Sequence, residues 1–204
     1  AQLLLRFFDS DKGSILIGEN NIKNIPIKNL REQISYVPQD VFLFSDSVAN
    51  NIRFGVEEKL DISAVEKAAK YASVHKEILQ FSKGYETMIG ERGFTLSGGQ
   101  KQRISIARAL IKNPEIIVFD DCLSAVDAKT ENEIVENLSA FLQEKTAIII
   151  THRIFSSFHF DKIVVLEDGK ITEQGTHEEL MKLNGYYNEL YQVQKTENNV
   201  SQNS

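Results

Sequence analysis

The hydrophobic positions of this chain alternate between short continuous runs and helically spaced sets. Ile116–Phe119 and Ala147–Ile150 are continuous runs and read as central strands buried on both faces of a parallel sheet. Ser14–Ile17 and Ile34–Val37 read as further strands, the second ended by Pro38. Helical spacing covers Ala128–Leu142 and the segment after Leu96-Ser97-Gly98-Gly99-Gln100, where Ile104, Ala107 and Ile111 share a face. Lys101, Arg103, Arg108 and Lys112 flank that face as surface and packing residues, and Asn113-Pro114 stops the helix. A short helix is predicted from Asp46 or Ser47 to Arg53. From Asp61 to about Phe81 the pattern stays helical, with Ala68, Ala69, Ala72 and Ile78 facing inward. With no strand interrupting it, this region reads as a helical insertion, followed by a glycine-punctuated loop over Lys83–Phe94. Ala1–Phe8 predicts a largely buried helix and Asp9–Gly13 a turn. Beyond Ile150 the pattern gives a hairpin, Lys162–Leu166 with Lys170–Glu173, then short helices over His177–Leu183 and Gly185–Val193. The polar stretch Gln194–Ser204 is expected to be disordered.

Composition narrows the classes. With 204 residues, 42% of them hydrophobic, the chain can bury one good-sized core with a small subdomain. A formal net charge of −6 argues against nucleic acid or an anionic bilayer as a direct electrostatic partner. The single cysteine, Cys122, excludes an internal disulfide framework and fits a reducing cytosol, and it reads as a packed residue. No apolar run approaches the ~20 residues of a membrane span. The first residue is Ala1, and Ala1–Phe8 looks like the middle of a helix, so the sequence is expected to be a fragment.

Three places carry candidate chemistry. Ser97 is suited to cap the helix behind it, and Gly98 and Gly99 permit a tight backbone path with free N–H groups at the positive end of the dipole. That suits a phosphate anion. Taken by itself, an ordinary capped helix start is an equal reading. Ile116–Phe119 delivers Asp120 and Asp121 to the C-terminal end of a strand, the edge where ligands of open α/β sheets gather. An aspartate there can hold a Mg²⁺-bound water, although a helix-capping pair of acids is the plainer reading. Gln39 ends another strand, and Thr151-His152 follows the next buried strand and is expected at the same edge. Gly13 and Gly18 have the spacing of a phosphate-binding loop, but Glu19-Asn20 stand where Lys and Ser/Thr are required, so this is no nucleotide site.

Taken together, these motifs resemble the nucleotide-binding domain of an ABC transporter of the exporter type. Leu96–Gln100 matches the family's signature motif and Ile116–Asp120 its Walker B strand. Ser124-Ala125-Val126-Asp127 resembles the D-loop, Gln39 the Q-loop glutamine and His152 the switch histidine. Gly90-Glu91-Arg92-Gly93 resembles the loop through which exporters sense their transmembrane domains. Phe42 and Phe44 match the region that receives a coupling helix, with core packing an equal reading. The resemblance implies an α/β fold, a parallel-sheet RecA-like P-loop NTPase core incomplete at the N-terminus. The partial ATPase domain is expected over 1–193, with a helical signature subdomain over about 47–112 and a tail over 194–204.

The resemblance also implies ATP and Mg²⁺ as cofactors. Gln39, Asp120, Ser97, Gly98, Gly99, Gln100 and Asp127 are then nucleotide-binding, Gln39 and Asp120 hold the metal, and Asp121 and His152 are catalytic. A second nucleotide-binding domain and a transmembrane domain, expected to be fused upstream, are the implied partners. Nucleic acid is not among them, and the expected location is the cytoplasmic face of a membrane.

Two departures from the family pattern shape the functional expectation. The Gly-rich Walker A loop ending in Gly-Lys-Ser/Thr, and the strands before it, are missing ahead of Ala1, so this fragment is expected to be inactive by itself. Asp121 stands where the family has a glutamate that polarises the attacking water. The two acids have similar intrinsic pKa values, but aspartate withdraws the carboxylate by about 1 Å, and a general base must lie within ~2.6–3.2 Å of its proton. This resembles the degenerate half of heterodimeric exporters, in which each ATP is held by one domain's Walker motifs and the other's signature. The chain then supplies a good signature to its partner's site and a weak base to its own. A low-turnover regulatory clamp is the alternative, and a chromosome-maintenance or DNA-repair ATPase is disfavoured by the lack of coiled coils and basic surface.

Overall fold

The computed structural model describes the chain apart from residues 57–59, 91–93, 123–127, 156–157 and 203–204, and apart from the side chains of 128–132 and 197–202. The chain divides into two compact units, Ala1–Ile150 and Thr151–Ser204.

The first unit runs through β1 (Leu16–Ile17), β2 (Asn20–Asn21), α1 (Ile27–Gln33), β3 (Ile34–Val37), α2 (Val48–Arg53), α3 (Ile62–Tyr71), α4 (His75–Ile78), α5 (Gly98–Ile111), β4 (Ile116–Asp120), α6 (Ala128–Leu142) and β5 (Thr146–Ile150). β3, β4 and β5 form a parallel sheet in that order, with Val37 paired to Phe119 and Asp120 to Ile150. Leu5, Ile22, Leu30, Ile34 and Val118 make one core cluster beside β3 and β4. A second lies among the helices: α2 and α3 pack on α5, and Val48, Ile52, Val65, Ala69, Ile104 and Ala107 are fully buried. Ala68, Ala72 and Ile78 are buried as their spacing predicts.

β1 and β2 form a small hairpin whose turn is Gly18-Glu19, with Ile17 paired to Asn20. Gly18 therefore serves a tight turn at φ 58°, in keeping with its exclusion as a phosphate loop.

Four sequence expectations need correction. Ala1–Phe8 is not a buried helix. It is one turn closed in the Schellman manner, Phe7 N–H donating to Gln2 O at 3.0 Å and Arg6 N–H to Leu3 O at 3.2 Å. Arg6 is left-handed at φ 51°, and its guanidinium donates to the carbonyls of Ile22 and Ile25; Leu5 is buried and Leu4 packs against the same core, while Leu3, Phe7 and Phe8 stay exposed. The helical stretch after Asp61 breaks at Ser73, φ 52°, where Val74 N–H donates to Ala69 O and Ser73 N–H to Lys70 O. β5 is not buried on both faces: Ile148 is 40% and Ile150 38% exposed. Its apolar run is that of a central strand, but among the described residues it pairs only with β4.

The fourth correction lies in the second unit. Here β6 (Ile163–Glu167) and β7 (Lys170–Gly175) form a hairpin, followed by α7 (His177–Leu183) and α8 (Tyr186–Gln202). Helical backbone thus continues past Val193, where disorder was expected. No glycine or proline follows Gly185 up to Gln202, and side chains one turn apart support the helix. Asn188 Nδ2 donates to Asn184 Oδ1 at 2.8 Å and Gln192 Nε2 to Asn188 Oδ1 at 3.2 Å. The β6–β7 turn, Asp168-Gly169, has positive φ at both residues, as the type I′ hairpin turn requires. Thr176 and Glu179 cap α7 reciprocally.

Candidate functional site

α5 begins at the predicted cap. Ser97 is extended, its Oγ accepts from Gln100 N–H at 3.2 Å, and Gln100 Oε1 accepts from Ser97 N–H at 3.0 Å. This reciprocal cap fixes the first turn. Ser97 and Gly98 are exposed, Gly99 and Gln100 half-buried. The glycine at position 98 does not follow from the fold: its backbone is right-handed, and a Cβ there would meet nothing within 4 Å. Glycine costs a helix up to ~1 kcal/mol relative to alanine. What the missing side chain leaves uncovered is the row of N–H groups at the positive end of a 14-residue helix.

The second group sits at the C-terminal end of the parallel sheet. Gln39 and Asp121 each lie two residues beyond the paired residues Val37 and Phe119, and Gln39 Nε2 donates to Asp121 Oδ2 at 3.1 Å. Asp121 is left-handed at φ 45°, a conformation aspartate tolerates better than most residues, and its N–H donates to Ile150 O at 2.8 Å. Tyr36, paired with Val118, lies on the same face as Asp120, because side chains alternate along a strand. Its hydroxyl donates to Asp120 Oδ2 at 2.8 Å. Burial first, and then the bond to Asp120 and its charge, push the Tyr36 phenol up to about 12. Tyr36 therefore stays a neutral donor that orients this carboxylate. Sequence reasoning missed it because the contact spans 84 positions and shows only once the register is known.

Cys122 is buried, as expected of a packed residue, and burial pushes its thiol up to about 12, with the Asp121 and Asp120 carboxylates adding to the shift. It remains a protonated thiol. The donors at this edge are hard oxygens, the Asp120 carboxylate and the Gln39 amide, and these suit Mg²⁺. A carboxylate offers about four lone-pair sites, so a tyrosine bond and a cation can share Asp120.

His152 lies in the second unit, exposed, within a turn closed by Thr151 Oγ1 accepting from Arg153 N–H at 3.0 Å. Asp127 and the rest of Ser124–Asp127, together with Glu91-Arg92-Gly93, lie outside the described residues.

Two arginines of α5, expected as surface and packing residues, take packing positions. Arg103 is 7% exposed and forks onto Glu77, while its Nε donates to Gly99 O at 3.2 Å. Arg108 donates to Asn51 O at 2.8 Å, Asn51 Oδ1 at 3.0 Å and Phe42 O at 2.9 Å, and stands over the rings of Phe44 and Phe54. Phe42 is 67% exposed, which removes core packing as its role.

Fold and site together define a parallel-sheet α/β domain suited to phosphate groups, with acidic residues at the sheet's ligand edge and an uncovered helix N-terminus. A family described as ABC transporter matches residues 1–124. The chain is 48% identical over 192 residues to the probable multidrug resistance ABC transporter ATP-binding/permease protein YheI of Bacillus subtilis, covering 94% of this chain and 33% of that protein. To the mitochondrial iron-sulfur clusters transporter atm1 of Aspergillus fumigatus it is 41% identical over 196 residues, 95% of this chain and 27% of the relative. A solved bacterial Atm1-family ABC exporter with ATP bound matches with a TM-score of 0.89 at 40% identity, over 95% of this chain and 34% of that one.

The chain belongs to the ABC transporter family, as an ATP-binding domain of the exporter type. It spans between 23% and 34% of the length of the curated relatives it matches. No helix among the described residues is long and apolar enough to cross a membrane.

Proposed function

We propose that this chain is the ATP-driven half of a membrane exporter in which two nucleotide-binding domains share two composite sites. Ser97, Gly98, Gly99 and Gln100 complete the site built on the partner domain's Walker motifs. The observation that carries this reading is Gly98, exposed at the head of α5 where nothing in this fold requires a glycine. Gln39, Asp120 and Asp121 serve the chain's own site, with Asp127 contributing through the D-loop, and His152 takes the role of switch histidine by its match to the family motif.

Asp120 and Gln39 are the residues suited to hold Mg²⁺, which when bound neutralises charge on the phosphates. Asp121 is the base for the attacking water and is held back twice, by its short side chain and by its bond to Gln39. The own site then turns over slowly, and the pair is asymmetric, hence a heterodimer. Phe42, Phe44 and Phe54 form the aromatic surface that receives a segment of the membrane domain, which is fused upstream and holds this chain at the cytoplasmic face.

Single-turnover hydrolysis in the assembled transporter tests the weak base. Asp121→Glu is expected to raise the own-site rate by up to about 10²-fold, the size associated with a ~1 Å misplacement. No rise at all means that reach is not the defect. Replacing Ser97 or Gly99 should instead damage the partner's site. Asp121 also motivates a low-turnover clamp, and steady-state hydrolysis with the partner's own glutamate removed separates the two readings.

A further inference from the structure

We infer that Glu77 is a positioning residue for the head of α5, acting on it through Gln100 and Arg103; the inference rests on the reading of that head as half of the partner's nucleotide site. Glu77 lies in α4, in the helical stretch before the signature, and no motif points to it. Its Oε2 accepts from Gln100 Nε2 at 2.9 Å and from Arg103 at 3.1 Å, and its Oε1 accepts from the other arm of the Arg103 fork at 2.5 Å.

The consequence follows from the amide of Gln100. A carboxylate only accepts, so Gln100 must turn its Nε2 toward Glu77, which turns Oε1 toward Ser97 N–H. The reciprocal cap that shapes the Ser97–Gln100 turn thus has its polarity set by a charge 23 positions earlier in the chain. Flipping the amide would break both bonds at once. Arg103 provides the second tether. Its guanidinium donates to Ser73 O at 2.9 Å and to Gly99 O at 3.2 Å, so it ties the glycine backbone to the end of α3. A cation this buried needs a compensating charge, and Glu77 supplies it.

Positioning and simple through-space charge predict opposite outcomes. Removing a negative charge near an anion site tightens the anion by Coulomb attraction alone. Removing the group that orients the turn loosens it. Glu77→Gln keeps the shape but makes the facing group an amide, which no longer dictates how Gln100 lies.

The experiment is steady-state ATP hydrolysis by the assembled, membrane-embedded transporter. Glu77→Gln is expected to raise KM for ATP about tenfold with kcat per folded molecule unchanged, the size of one charge-assisted hydrogen bond lost from binding. Glu77→Asp, which keeps the charge one methylene back, should fall between the two. KM is read from whatever fraction folds, so partial misfolding does not obscure it. An unchanged or lowered KM, or a kcat loss that only tracks folded protein, overturns the role of Glu77. Gly98→Asp, which puts a carboxylate into the turn itself, separates the two layers. If it abolishes turnover while Glu77→Gln does nothing, the Glu77 role alone fails; if it also does nothing, the reading of the α5 head fails with it.

Discussion

A methyl group added at position 98 would find no atom within 4 Å. Gly98→Ala should therefore leave the domain as stable as before or raise its stability by about 0.5–1 kcal/mol, since alanine favours a helix more than glycine does. In the assembled transporter the same change should lower ATP turnover, because the methyl projects where a ligand would approach. Thermal unfolding and phosphate release measured on one variant test both halves, and a large stability loss would contradict the open space. Tyr36 makes a second residue-scale prediction. Its folded-state pKa is raised above the ordinary 10.0 to about 12, so its contribution is fully present below pH 10 and is lost as pH rises toward 12. The stability gap between the parent and Tyr36→Phe, read from urea midpoints, should accordingly shrink across that alkaline window.

Arg108 binds α5 to α2 and to the segment after Gln39 with one planar group, through three hydrogen bonds and two aromatic faces. Arg108→Met should cost about 2–4 kcal/mol in urea denaturation, since it strips donors from the buried Asn51 as well as losing the stack. Arg108→Lys should recover little, because a lysine cannot fork. At this scale much was legible in the sequence. Ser97 and Pro114 mark the ends of α5 with local chemistry, and α6 and β5 fall on their predicted residues because their apolar patterning is local as well. What was not legible has non-local causes. The run Ala147–Ile150 records a preference for burial, whereas the exposure of Ile148 and Ile150 depends on what packs around the strand. The break at Ser73 is a serine in a conformation more usual for glycine, with its Oγ accepting from Asn137 Nδ2 at 2.8 Å across 64 positions. The bonds of Tyr36 to Asp120 and Glu77 to Gln100 likewise join segments far apart in sequence.

For the molecule as a whole, family membership was legible because several short motifs occur in a fixed order, and Gln39, Asp120 and Asp121 do meet at one sheet edge. The sequence contains no Gly-Lys-Ser/Thr loop, so the 204-residue chain by itself should release no phosphate from ATP above background. Turnover by this chain in isolation would show that another segment cradles the phosphates. The meeting of Gln39 with Asp121 also sets a rule for the gene. Both sit two steps past one shared rung of β3 and β4, so their separation is metered by backbone and not by side chain. One codon gained or lost within β3 would offset the amide by about 3.3 Å and turn it to the opposite side of the sheet. Natural variation at this edge should therefore run to spelling changes, while insertions and deletions are confined to the loops beyond.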